Sequence, residues 1–99
     1  MSAAFRSDAT FTITGRGLAV SGEIMDGVVM VGMIAEIPGW PKVLRIDGVE
    51  LIRNLDRPNI NVGLLFRSDD PAEFIRWRTL QVKGKTIAIR EKKGYRQPR

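Results

Sequence analysis

The sequence predicts an all-β domain: a closed or nearly closed antiparallel barrel of six to seven short strands, with one short helical turn near residues 70–77. Three observations carry this prediction. Apolar and polar residues alternate at period two, the alternating runs are short and regularly spaced, and glycine stands at nearly every junction between them. Closure is the economical arrangement of such strands, because an open sheet leaves edges free to pair with other chains. A length of 99 residues sets one modest core and one domain.

Taken in order, residues 1–9 read as an N-terminal extension and the barrel as residues 10–90. Thr10 to Thr14 sets Phe11 and Ile13 on one face and threonines on the other, the mark of a half-buried strand. After Gly15-Arg16-Gly17, a second alternating run from Leu18 to Met25 reaches Asp26-Gly27, a hairpin-turn signal that predicts a return strand through Val28 to Val31 and on, past Gly32, to Ile37. Pro38-Gly39-Trp40-Pro41 ends it. The next strand region, Val43 to Leu55, is interrupted at Asp47-Gly48, where glycine inside a strand pattern signals a bulge or a close backbone approach. Asn61 to Arg67 follows, with Val62, Leu64 and Phe66 directed inward. Asp70-Pro71 with Glu73 reads as a helix start, Asp70 capping, Pro71 in the first turn and Glu73 completing a capping box. Leu80, Val82, Ile87 and Ile89 supply the last strand or strands around Gly84.

The basic residues are unevenly placed. Seven of the 16 Lys and Arg residues lie from Lys83 onward against the single acid Glu91, so a chain of net charge +5 has a nearly neutral body and a basic end. Residues 91–99 read as a flexible basic tail. No stretch has the roughly 18 consecutive apolar residues of a membrane-spanning helix. The N-terminal residues do not read as a secretory signal, and the absence of cysteine excludes disulfides; a cytoplasmic location is the expectation.

Catalytic equipment is sparse. Histidine and cysteine are both absent, which removes the commonest general base, Ser-His and Cys-His pairs and nearly all zinc chemistry. No enzyme activity, metal or cofactor is expected. Asp69-Asp70 could hold a hard cation, but Asp70 has a capping role and no oxygen ligands follow at loop spacing. Gly15-Arg16-Gly17 and Lys83-Gly84-Lys85-Thr86 lack the spacing of a phosphate loop, so no nucleotide binding is expected. Of the tryptophans, Trp77 is expected inside; Trp40, in a Pro-rich loop, suits either a lid over one barrel end or an exposed contact.

One long series of residues resembles a known family. Phe11-x-Ile13-x-Gly15-Arg16-Gly17-x-x-Val20-x-Gly22-x-Ile24-x-x-Gly27-x-Val29-x-Val31-Gly32 resembles the opening of the second domain of elongation factor Tu and related translational GTPases. Gly48-Val49-Glu50-x-x-Arg53, Asn61-Val62-Gly63-Leu64-Leu65-x-Arg67 and Arg76-x-x-x-Leu80 with Gly84 continue the likeness over residues 10–88. The resemblance implies a Greek-key β-barrel, here without its GTP-binding domain. In that family the barrel packs on the nucleotide domain and, in elongation factor Tu, forms a pocket for the aminoacyl end of tRNA; other members touch ribosomal RNA. It implies that Glu50 and Arg53 line such a pocket and that Arg16 lies in the neighbouring signature loop. Met33, the short loop from Gly39 to Lys42, Asn59-Ile60-Asn61 and Trp77 depart from the family pattern.

The function expected is therefore that of a non-catalytic binding module recognising RNA or a ribosome or translation component, with Arg16, Glu50, Arg53 and Arg67 as the candidate binding residues. A protein-interaction or regulatory domain, using its exposed barrel face on a partner or a second copy, is the alternative. Positions three apart on a regular strand face opposite ways, so Glu50 and Arg53 share a rim only if the strand is bulged or bent near Gly48.

Overall fold

Small residues alternating with Phe5 begin the chain, and they form a strand far longer than its β-branched segment alone suggests. The structure, a computed structural model, describes residues 2–15 and 17–91. Strand β1 (Ser2–Ile13) pairs with β2 (Gly17–Asp26), and the remaining strands are β3 (Ile34–Glu36), β4 (Leu44–Arg45), β5 (Gly48–Leu51), β6 (Val62–Phe66) and β7 (Thr86–Arg90); one helix, α1 (Pro71–Arg78), precedes β7. Every pairing is antiparallel, in the order β4-β3-β7-β1-β2-β6-β5.

The two outermost strands of that order, β4 and β5, are consecutive in the chain, with only Ile46 and Asp47 between them. Those two residues join both margins of the sheet. Ile46 N–H donates to Met33 O at 2.8 Å on the β3 side, and Asp47 N–H donates to Leu65 O at 2.7 Å on the β6 side. The sheet thus curls into a barrel whose closure is a bend in one chain segment, at the Asp47-Gly48 interruption expected from the sequence. Strands β3, β4–β5 and β6 run as neighbours, and the chain then passes through α1 to lay β7 beside β3; this is Greek-key connectivity.

Three expectations need correction. Residues 2–9 are not an extension: β1 starts at Ser2, pairs with β7 from Ser2↔Arg90 to Arg6↔Thr86, and buries Ala3, Phe5 and Ser7. Phe11, expected inside, is 40% exposed at the far end of β1. Asp26-Gly27 does turn, with Gly27 at φ +80°, but makes no hairpin, because β3 pairs with β4 and β7 instead of β2. The segment between β2 and β3 crosses past β1 and β7, leaving Val28, Met30 and Val31 exposed while Val29 and Met33 enter the core.

The core is one continuous cluster centred on Phe5, Leu18, Val20, Leu64, Phe66 and Ile87. Helix α1 closes one end through a single fully buried side chain, Trp77, whose Nε1–H donates to Ala19 O at 2.9 Å while its ring meets Phe66 and Trp40 edge-on. Trp40 takes the lid position, 8% exposed, with the Arg76 guanidinium 5.5 Å from its ring centre. Among the described residues, no helix is long and apolar enough to cross a membrane.

Candidate functional site

The barrel-closing bend also gathers charge. Leu44 and Ile46 point inward as alternate residues, so Arg45 and Asp47 emerge on the outer side, two apart on one face. Arg67, immediately after β6, arrives beside them because Asp47 is hydrogen-bonded to Leu65. Asp47 then sits between two guanidinium groups: Arg45 Nη1 lies 3.5 Å from its Oδ1 and Arg67 Nη2 lies 3.5 Å from its Oδ2. The arginine side chains are 60% and 83% exposed and the carboxylate 32%, so both forks keep donors facing solvent. An open groove of about 360 Å³ is lined here by Leu44, Arg45, Asp47, Phe66 and Arg67.

The sequence-predicted site residues divide between two places. Arg67 belongs to this corner. Arg16 lies outside the described residues, but its neighbour Gly17 packs against the chain at Phe66 to Ser68, and its φ of +124° with no room for a Cβ explains why glycine stands there. Glu50, exposed on β5, is opposite Gly63, and Arg53 follows just beyond Ile52, whose N–H donates to Asn61 O at 2.9 Å. Since Gly48 is opposite Leu65 and Leu51 opposite Val62, the hairpin carries Arg53 toward its tip while Arg67 leaves at its base. At about 3.4 Å per residue, the five positions from Gly48 to Arg53 alone span roughly 17 Å along the strand direction, and Arg67 lies beyond Gly48 on the other side.

The pairing of β5 with β6 is regular from Gly48 to Leu51, so the bend precedes Gly48. The structure therefore joins Arg67 with Arg45 and Asp47, and carries Arg53 toward the other end of the hairpin. Arg45 and Asp47 were not singled out from sequence. Their signal was the spacing of two opposite charges on one side of a strand that otherwise alternates into the core.

Elsewhere on the surface, Arg57 reaches from the β5–β6 connection to Asp8, the residue skipped in the β1–β2 register, and Arg6 pairs with Glu23 across β1 and β2. These are exposed ion pairs of small energetic weight, typically 0–1 kcal/mol. Among the described residues no group of three or more His, Cys, Asp or Glu is placed to hold a metal ion. No protein-family model matches the chain, and no solved structure matches it.

Proposed function

We propose that the chain is a non-catalytic module that binds RNA through the corner formed by Arg45, Asp47 and Arg67. The observation that supports this most directly is the convergence of two exposed guanidinium groups on one carboxylate beside an open groove. Asp47 holds the forks close together, and their outward N–H donors match the oxygens of successive phosphates better than separate lysines would. The basic residues from Lys83 onward add long-range attraction for a polyanion. The resemblance to the second domain of the translational GTPases points the same way.

The test is RNA affinity measured across a salt series for the parent protein, Arg45→Ala, Arg67→Ala and the double variant, with circular dichroism to verify the fold. Each arginine that contacts a phosphate should, when removed, weaken binding several-fold and reduce the slope of log K against log salt by about 0.7 for a single strand. A double variant that binds like the parent, or a parent that binds no RNA at low salt, refutes the reading. Arg53→Ala and Glu50→Ala belong in the same series, because a loss there would place the contact at the hairpin tip.

A further inference from the structure

Asp47 holds two guanidinium groups together, yet its charge offsets one of theirs and repels a phosphate at close range. For contact with phosphates alone, a neutral acceptor would hold the forks without that repulsion. The backbone nevertheless aims this carboxylate specifically. Gly48 is opposite Leu65 in the β5–β6 ladder and Asp47 N–H also donates to Leu65 O, so two residues face one. That is a β-bulge, a device that re-aims a side chain at the margin of a sheet. The Asp47 carboxylate lines the groove of about 360 Å³ together with Arg45, Arg67 and the largely buried Leu44 and Phe66.

The carboxylate keeps accepting capacity toward that groove. A carboxylate has about four lone-pair sites, and both of its guanidinium contacts, at 3.5 Å, are longer than the usual N–H···O separation of about 2.7–3.2 Å. Its side chain is 32% exposed, so a ligand can reach it. Arg45, 60% exposed, sets N–H donors beside Oδ1. Arg45 and Asp47 together therefore offer a donor, an acceptor and a second acceptor in a row.

Among the four RNA bases only guanine has the complementary Watson–Crick edge, with the O6 acceptor followed by the N1–H and N2–H donors. Adenine and cytosine set one amino donor beside a ring-nitrogen acceptor, and uracil has one N–H between two carbonyl groups. Each of these would bring a lone pair against a carboxylate oxygen. Unpaired bases are commonly recognised by hydrogen bonds on this edge.

We propose that the corner selects guanine in single-stranded RNA: Asp47 accepts from N1–H and N2–H, Arg45 donates to O6, and Arg67, 83% exposed beside Oδ2, takes an adjacent phosphate. A base-paired guanine has this edge occupied, so the strand must be unpaired. The assignment rests on the reading of the corner as an RNA site and narrows that reading to one base.

Fluorescence anisotropy of the full chain with 3′-labelled hexamers tests this. The probes are UUGUUU, the same strand with inosine in place of guanine, which removes only the N2 amino group, and the all-uridine hexamer. The parent should bind the guanine strand about fivefold or more tightly than the all-uridine strand, the discrimination of one good bidentate contact, with inosine between them. Asp47→Asn, its fold verified by circular dichroism, loses one acceptor and one negative charge; it should bind the three strands alike, and the all-uridine strand no more weakly than the parent does. Equal affinity of the parent for all three overturns the guanine assignment while leaving an RNA site in place. So does an Asp47→Asn variant that weakens all three by one factor and keeps the parent's preference. A parent that binds none of them at low salt overturns both readings.

Discussion

Ser7 shows how a single hydroxyl fastens distant parts of the chain. It is 2% exposed, and its Oγ lies 2.6 Å from Val82 O and 2.9 Å from Lys85 O, the turn that leads into β7. Neither carbonyl depends on it: Lys85 N–H donates to Val82 O at 2.8 Å and Ser7 N–H to Lys85 O at 2.9 Å. Ser7→Ala therefore removes one buried hydrogen bond without orphaning an acceptor, and the expected loss is about 1 kcal/mol. For a domain of this size that is a fall in Tm of roughly 4–8 °C, measurable by thermal denaturation. Ser7→Val also forces extra methyl volume into a filled space and should cost about 1–3 kcal/mol. Nothing in the sequence marked Ser7 as internal, because a serine among Arg6 and Asp8 reads as surface until β7 is known to pass beside it. Trp77 was legible by contrast, since a large ring in a short helix has few places to go except the core.

Helix α1 was legible in position, and its start only in part. Asp70 Oδ1 accepts from Ala72 N–H at 2.9 Å and Pro71 occupies the first turn, as the residue types require. Glu73 does not close the expected reciprocal box. Its carboxylate accepts from the Ser68 hydroxyl at 2.6 Å and meets Lys42 Nζ at 2.8 Å, while Asp70 N–H turns to Ser68 Oγ at 3.3 Å. Local spacing names the capping residues, but Lys42 comes from the loop after β3 and only the folded barrel brings it to the helix. The Lys42 ammonium first, and then the Ser68 hydroxyl, hold the Glu73 carboxyl below its ordinary pKa. A carboxylate whose folded pKa is depressed adds stability above its unfolded pKa, and that contribution is lost as pH falls through the folded value. Glu73→Gln should accordingly be less stable than the parent near neutrality, with the difference shrinking as pH drops below about 4.3. Urea denaturation from neutral to acidic pH measures this, and a gap independent of pH would argue against the Lys42 contact. Asp70→Ala should cost about 1 kcal/mol through loss of the cap, measured by the same urea denaturation.

At the scale of the whole barrel, the strands with β-branched or aromatic alternation, β2 and β6, were legible from their residues, whereas the first half of β1 and the crossover from β2 to β3 were not. Ser2 to Ala9 lacks strand-favouring residue types apart from Phe5, and Asp26-Gly27 is a sound local turn signal that long-range pairing with β7 overrides. The arginine corner was hidden for the same reason, since Arg45 and Arg67 meet only when the barrel closes. Closure demands close approach of backbones, and two glycines that look equivalent in sequence show where. Gly22 and Gly63 lie on the adjacent strands β2 and β6, in successive rungs: Gly22 opposite Val62 and Ser21 opposite Gly63. A Cβ at Gly22 would overlap the Arg6 carbonyl oxygen and press within 2.7 Å of the Phe5 ring, both on β1. That side of the strand is already occupied by backbone and by a fully buried phenyl group, neither of which can yield without disturbing the register on both flanks. A Cβ at Gly63 meets Ile52 Cγ2 at 3.6 Å, an ordinary van der Waals contact. Gly22→Ala should therefore destabilise the barrel by about 1–3 kcal/mol, while Gly63→Ala should fall within about 0.5 kcal/mol of the parent. Equal losses in urea denaturation would mean that β1 does not press on β2 at Gly22, and with that the tight wrapping of the β1–β2 pair on which closure depends would be wrong.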